Sequence, residues 1–428
     1  MVVTRLDRRI EVTVAGSSGH PLIERPPKPR TGWGRLRRDF GSLYAANGLI
    51  GVIFSATGPV AVILAVGTKG GLSPAELASW IFGVFFFNGL LTILACWLYR
   101  QPLAMFWTIP GTVLVGPALG HLTWPQVIGA FIATGVLILV LGLTGWVRRV
   151  MSVIPMPIVM AMVAGVFLRF GVDLVLALGA DFAIAAPMVL AFLLLSAVPT
   201  LGRWVPPIIG TLVVGAVAVV ASGRFSPDLA TAQVLAAPVV QLPQWSLQAM
   251  VELVIPIAVT VLVVQNGQGI AVLRAAGHTA PINAVTIACG VWSIMVAFVG
   301  SVCTCLTGPT NALLTASGER SRHYIAGICC GLLAVLFGLF APLFTQLMLA
   351  TPAAFIAVLG GLAMLRVLQS SFVVAFSSRF TLGALVTFVV TVSDISVLNI
   401  GAAFWGLTAG LAISMLLERP DFTERRST

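Results

Sequence analysis

From Gly41 onward the chain runs as a series of apolar segments, each broken by glycine, proline or a charged cluster. A helix needs about 20 apolar residues to cross a hydrocarbon core. Read this way, the pattern predicts fourteen segments: 42–67, 73–99, 102–120, 123–145, 150–178, 181–201, 204–222, 246–273, 280–301, 302–318, 324–344, 347–367, 379–394 and 396–417. The longest connection, Gly223 to Trp245, is polar with prolines and separates seven segments from seven. The expected architecture is an all-α polytopic membrane protein. Residues 1–40 form a basic tail, 41–222 a first seven-segment half, 223–245 a linker, 246–417 a second half and 418–428 a short tail. Within the first tail, residues 1–31 are polar and rich in proline (Pro21, Pro26, Pro27, Pro29) and are expected to be disordered, whereas Thr31 to Phe40 is expected to form a short interfacial helix.

Composition sharpens that picture. Of 428 residues, 58% are hydrophobic and 9% charged, and the mean hydropathy is +1.04. A soluble domain carries about a quarter charged residues, so too few charges remain to solvate a water-facing surface, and the solvent is lipid. The net charge of +10 could suggest nucleic acid, but nine of the 24 Lys and Arg fall in the first 38 residues and the rest sit mostly at segment ends. That distribution is a topology signal and a possible contact with anionic headgroups, and the aromatic interleaving of a nucleic-acid groove is missing. With the N-terminus in the cytosol, all basic residues except Lys69, Arg169 and Arg224 face inward, which places both termini in the cytosol. The N-terminal region lacks the apolar core of a signal peptide. Six cysteines, Cys96, Cys289, Cys303, Cys305, Cys329 and Cys330, all lie in apolar segments and read as small buried hydrophobes rather than disulfides or metal ligands. No cofactor or metal is expected.

The two halves echo each other. Pro155 precedes Arg169 by fourteen residues in segment five, and Pro352 precedes Arg366 by fourteen in segment twelve. Gly210 and Gly215 in segment seven match Gly401 and Gly406 in segment fourteen. Segment three reads Thr108-Ile109-Pro110-Gly111-Thr112, and segment ten reads Thr307-Gly308-Pro309-Thr310-Asn311. Their common order suggests a duplication, and an odd number of spans per half inverts the second copy.

Segments three and ten are short and interrupted at matched places, the usual sequence pointer to a transporter's solute site. Pro110 and Pro309 suit the first turn of a half-helix, which leaves Phe106–Ile109 and Cys303–Gly308 extended. The N–H groups of Gly111, Thr112, Thr310 and Asn311 are expected to face a cavity and to favour an anion or an electron-rich ring edge. The competing reading is that Gly and Pro merely kink two packed helices whose threonines bond their own backbone. Segment one adds Ser55 and Thr57 within Ser55-Ala56-Thr57-Gly58-Pro59, and segment eight adds Gln265, Asn266 and Gln268. Carboxamides can donate to a carboxylate and accept from a protonated acid, although this patch could also be the wet cytosolic mouth of its helix. The candidate site is therefore Ser55, Thr57, Thr108, Gly111, Thr112, Gln265, Asn266, Gln268, Thr307, Gly308, Thr310 and Asn311. All fourteen acids can be placed in tails, loops or outer helix ends. Glu252 and Asp394 come closest to the interior and read as satisfied interfacial groups, and Arg169 is expected to pair with Asp173 one turn on.

The strings FSATGP at Phe54–Pro59, QNGQGIAVLRAAG at Gln265–Gly277 and TGPTNA at Thr307–Ala312 resemble the benzoate–proton symporter family of bacterial inner membranes. The resemblance covers Gly41 to Leu417. That family is similar in architecture to nucleobase permeases and sulfate-type anion transporters. It implies fourteen spans in two inverted repeats, with segments 1–4 and 8–11 as a core domain and 5–7 and 12–14 as a gate, usually in homodimers. It also implies a solute site between the two half-helices. Nucleobase permeases carry acids in segments eight and ten, where this chain has Gln265 or Asn266, and Asn311.

The function expected is proton-linked secondary uptake of a small organic carboxylate. The alternatives are a transporter of nucleobases or small inorganic anions, and a non-transporting receptor. An enzyme is disfavoured because no intramembrane His or Asp cluster, metal-ligand spacing or nucleophile with a base is found. An ATP-driven pump is disfavoured because no GxxxxGK[ST] string exists.

Overall fold

In lipid a backbone must satisfy its own polar groups, which makes helix the default for apolar chain. The computed structural model describes residues 23–27, 32–147, 149, 155–198, 205–226, 233–377, 379–395, 397 and 400–425. The first half holds α1 (Trp33–Asp39), α2 (Ser42–Lys69), α3 (Pro74–Tyr99), β1 (Met105–Trp107), α4 (Ile109–Ala118), α5 (Trp124–Thr144), α6 (Met156–Ala180), α7 (Phe182–Ala197) and α8 (Pro207–Ala221). The second holds α9 (Leu247–Ala275), α10 (Ile282–Ala297), β2 (Thr304–Leu306), α11 (Gly308–Leu314), α12 (Arg320–Leu339), α13 (Ala341–Leu349), α14 (Ala353–Ala375), α15 (Thr381–Val392), α16 (Ala402–Leu417) and α17 (Arg419–Arg425).

Seven of these helices, α2, α3, α5, α6, α9, α12 and α14, are long and apolar enough to cross a membrane. Their ends follow local chemistry. Ser73 opens α3 with a capping box: its hydroxyl accepts the Glu76 N–H while the Glu76 carboxylate accepts the Ser73 N–H at 2.8 Å. Gly145 closes α5 in the left-handed conformation. Single π turns interrupt α3 at Gly83–Phe87 and α9 at Met250–Val254 and Thr260–Asn266. Such turns shift the register of the side chains beyond them and cluster at functional sites.

The helices pack in matched sets. α5 lies on α10 and α3 on α12, α6 crosses α14, α7 pairs with α8, and α15 with α16. Where α5 meets α10 and α3 meets α12 the backbones touch through glycine. A Cβ on Gly290 would come within 2.5 Å of the Leu139 nitrogen, and one on Gly331 within 2.7 Å of the Gly89 carbonyl oxygen. Small residues permit such close approach, the usual basis of helix association in lipid.

Several expectations change. The expected segments 324–344 and 347–367 are instead α12, a separate α13 and α14. Pro342 sits in the first turn of α13 and Pro352 just before α14, so the chain breaks and restarts twice. The last segment begins at Ala402 rather than 396. The tail is not wholly disordered: the Glu24 carboxylate accepts the N–H groups of Asn283 (3.2 Å) and Ala284 (3.0 Å) at the start of α10, and Tyr99 donates to the Glu24 carbonyl at 2.9 Å. Residues 1–22 and 28–31, and with them the rest of the expected disordered stretch, lie outside the described residues. Arg169 bonds Asp394 at 3.2 Å instead of Asp173, because the turn after α15 brings that carboxylate across to α6. All six cysteines are free, and all but Cys329 are fully buried.

Candidate functional site

Segments three and ten both enter as extended chain and turn helical at their prolines, with Pro110 and Pro309 in the first helical turn. The two extended stretches meet. β1 and β2 pair antiparallel, Met105 opposite Leu306, Phe106 opposite Cys305 and Trp107 opposite Thr304. The ladder continues through Thr108 N–H to Cys303 O and Thr307 N–H to Ala104 O, each 3.1 Å. The half-helices α4 and α11 thus start from opposite ends of a two-stranded ribbon buried in the protein.

Such a ribbon leaves polar groups along its outer edges, which cannot remain unpaired away from water. Side chains of the neighbouring helices take them. Thr92 Oγ1 accepts the Met105 N–H at 2.9 Å and donates to the Met105 carbonyl at 3.0 Å. Ser293 Oγ accepts the Thr304 N–H at 2.9 Å, and Asn88 Oδ1 accepts from Thr304 Oγ1 at 2.8 Å. Asn266 Oδ1 accepts the Leu306 N–H at 2.7 Å. Asn311 Oδ1 accepts the Ala104 N–H at 3.0 Å, while its Nδ2 donates to the carbonyls of Thr307 (2.6 Å) and Ala104 (3.3 Å). The carboxamides of Asn266 and Asn311 are therefore spent on the ribbon.

The expected free N–H groups are mostly spent too. Thr108 caps α4, its hydroxyl accepting the Gly111 N–H at 3.1 Å. The Thr112 and Asn311 N–H groups bond the carbonyls of Thr108 (2.9 Å) and Thr307 (3.3 Å), four residues back. Being the fourth helical residue of its half-helix, each already reaches a carbonyl. At α11 the cap residue Thr307 makes no side-chain cap bond, so this helix start, with Thr310 in its first turn, keeps its unscreened partial charge.

Between the helix starts and α2 lies a narrow cavity with room for about one water. Phe54, Phe106 and Trp107 give it aromatic walls, with Pro59, Ile109 and Pro309 beside them; Ser55, Gln265, Thr307 and Thr310 are its polar lining. Ser55 and Thr310 face each other, their hydroxyls 3.4 Å apart. Three of the lining residues carry a buried polar atom with no hydrogen-bond partner among the described residues: Trp107 Nε1, Gln265 Oε1 and Thr307 Oγ1. Leaving such an atom unpaired costs about 1–3 kcal/mol, and three of the residues that carry one line this cavity. Among the described residues, no charged side chain lines it.

The remaining candidates stand behind this wall. Thr57 bonds the carbonyls of Ile53 (2.8 Å) and Phe54 (3.1 Å) on its own helix. Thr108 donates to Thr260 Oγ1 at 2.9 Å, and Thr112 donates to the Thr108 carbonyl at 3.1 Å. Gly308 lies against Gln268, a Cβ there falling 2.7 Å from Gln268 Cβ, where α11 crosses α9. Phe54, Phe106, Trp107 and Thr260 escaped the sequence reading, although Phe54 and Trp107 directly adjoin Ser55 and Thr108.

Two titratable pairs flank the membrane region. Glu252, buried in the first turns of α9, bonds His121 Nε2 through Oε2 at 2.9 Å. At the opposite end, His278 Nε2 lies 3.1 Å from His323 Nδ1. Burial, the neighbouring His323 and Arg320 push His278 down to about 4.

A family model described as benzoate membrane transport protein matches residues 40–416. The inner membrane protein YdcO of Escherichia coli (strain K12) is 30% identical over 370 residues, which are 85% of this chain and 93% of that protein. The benzoate membrane transport protein of Acinetobacter baylyi (strain ATCC 33305 / BD413 / ADP1) is 27% identical over 391 residues, 90% of this chain and 98% of that one. Among solved structures, the transmembrane domain of BicA, a cyanobacterial bicarbonate transporter, matches with a TM-score of 0.60 at 16% identity, over 86% of this chain and 97% of that one. The murine anion transporter Slc26a9 in its inward-facing state matches with a TM-score of 0.62 at 14% identity, over 97% and 76%. At those identities the structural likeness establishes the fold alone. The chain is a multi-pass membrane protein of a transporter family, not an enzyme.

Proposed function

Because the chain belongs to the benzoate membrane transport protein family, we propose that it is a secondary transporter importing a small organic carboxylate of benzoate type, coupled to protons, by alternating access. The observation that carries this reading is the aromatic cavity with three unpartnered polar atoms. Trp107 Nε1 offers an N–H, Thr307 a hydroxyl and the start of α11 a partial positive charge, all suited to a carboxylate. Gln265 Oε1 is an acceptor without a donor, a partner for the O–H of a protonated acid. The rings of Phe54, Phe106 and Trp107 supply the apolar walls that an aromatic solute needs. The solute then carries its own proton, and no titrating carboxylate is required in the pocket. With room for about one water, this cavity does not admit an aromatic ring as it stands, so the ring enters only when neighbouring helices part.

The same reading organises the fold. We propose fourteen spans in two inverted repeats, since the packing is unchanged when each segment is exchanged for the one seven places on: α5 on α10 becomes α12 on α3, and α7 with α8 becomes α15 with α16. The ribbon clamps repeat as well, Thr92 serving β1 and Ser293 serving β2. In this arrangement α2–α5 and α9–α12 form the core that carries the site, and α6–α8 and α14–α16 the gate that moves against it. We place the protein in a bacterial inner membrane with both termini cytosolic, as a homodimer. The competing reading, transport of a nucleobase or an inorganic anion, gives the aromatic walls or the unpaired acceptor less to do. A thermal-shift screen of purified protein against aromatic carboxylates, nucleobases and inorganic anions separates them. Stabilisation by benzoate-like acids alone is expected, and stabilisation by bicarbonate or uracil but by no aromatic acid would refute the carboxylate assignment.

A further inference from the structure

Glu252 is a buried carboxylate that the transport reading leaves without a task. It is 5% exposed and lies in a π turn near the start of α9. One oxygen bonds His121, in the loop between α4 and α5, at 2.9 Å. The carboxylate also lies against Gly401, the residue that caps α16. A negative charge at a helix start is stabilised by both the free N–H and the aligned peptide dipoles. The fit is close: a Cβ on Gly401 would fall 2.5 Å from Glu252 Oε1. α4, α5 and α16, the elements packed around this turn, carry no Asp, Glu, Lys or Arg within their spans, so His121 is the titratable group that faces Glu252 from them. The nearest charge along the chain before α16, Asp394, is paired with Arg169. His121 is about a quarter exposed, which leaves the carboxylate one hydrogen bond from water.

We propose that Glu252, His121 and the start of α16 form an outer latch, in which the core half of the protein grips the gate half and closes the extracytoplasmic entrance. This rests on the transport reading for its purpose but not for its detection. In the closed state the carboxylate bridges α9 and the α4–α5 loop to α16. Opening the entrance withdraws α16 and separates its first residue from the carboxylate. Protonation of Glu252 removes the charge that the helix start attracts and so loosens the latch, making Glu252 a positioning residue for the gate rather than the carrier of the coupled proton.

The test is hydrogen–deuterium exchange of residues 401–408 in nanodiscs from pH 5 to 8, expressed as protection relative to intrinsic exchange, with carboxylate uptake measured in parallel. Wild type should be protected at pH 8 and lose on the order of tenfold of that protection towards pH 5, the scale expected for a charge at a helix start. Glu252→Gln should be unprotected and flat with pH. Gly401→Ala, which keeps the charge but crowds it out, should behave alike. Both variants should still accumulate solute under a pH gradient, with altered initial rates. Wild-type protection in both variants across the whole range would overturn the latch, as would protection in wild type that does not change with pH. Absence of carboxylate uptake in every form, wild type included, would refute the transport reading while the exchange data still decide the latch.

Discussion

Truncating Gln265 and truncating Asn311 should have opposite consequences. Both are buried carboxamides on helices of the central ribbon. Gln265 Oε1 has no hydrogen-bond partner among the described residues, so Gln265→Ala gives up no bond at that atom and should leave the melting temperature nearly unchanged. Its loss should fall on binding, where a hydrogen bond to a charged or strongly polar partner is worth about 1.5–3 kcal/mol, or roughly ten- to a hundredfold in affinity. Asn311 instead accepts the Ala104 N–H and donates to the Thr307 and Ala104 carbonyls. Asn311→Ala leaves both carbonyls their backbone donors, Thr307 N–H and residue 311 N–H, but strands the Ala104 N–H in a dry interior at about 1–3 kcal/mol, enough to lower the yield of folded protein and shift its melting by several degrees. Calorimetric titration of a benzoate-like acid, paired with thermal unfolding of both variants in the same detergent, separates the effects. Equal destabilisation of the two variants, or unchanged affinity in Gln265→Ala, would refute the division between lining and scaffold.

Other consequences follow from the same geometry. Trp107→Phe keeps an aromatic face but removes the unpaired N–H, and should weaken solute binding about tenfold, with a modest drop in unfolding temperature because the smaller ring leaves a gap at this buried position. Asn266→Ala should behave like Asn311→Ala, since it leaves the Leu306 N–H without its acceptor; limited proteolysis of the folded fraction reports this. His278 titrates near 4 in the folded protein against 6.5 for the free group, so between those values the unfolded chain binds the extra proton. Stability should therefore fall as pH drops from about 6.5 towards 4, and His278→Gln should flatten that slope in chemical-denaturation curves. Asp394→Asn, which loses only a half-exposed pair with Arg169, should leave pH-driven accumulation intact.

The legible part of this protein was whatever lipid dictates locally. Apolar runs set the helices, and matched Thr-Pro-Gly and Gly-Pro-Thr strings marked where two of them break at Pro110 and Pro309. What those breaks do together was not legible, because strand pairing is non-local: nothing near Met105 in sequence announces Leu306 as its partner. For the same reason Asn266 and Asn311 read as solute ligands. Their residue type fits a carboxylate and a backbone amide equally well, and only the neighbouring strand edge decides between them. Phe54 and Trp107 were invisible among many aromatics in an apolar chain until the fold turned them towards one cavity. Glu252 was legible as a residue near a helix end, but its contact with Gly401 joins the first and last helices of the second half and has no local signature.

The most direct test of the central claim is uptake of radiolabelled benzoate into proteoliposomes under an imposed inward proton gradient, comparing wild type with Gln265→Ala. The account predicts that wild type accumulates the acid above its equilibrium level, that collapsing the gradient releases it, and that Gln265→Ala needs roughly ten- to a hundredfold more solute for the same rate. Wild-type vesicles that neither accumulate nor exchange any aromatic carboxylate, while moving bicarbonate or a nucleobase, would contradict it.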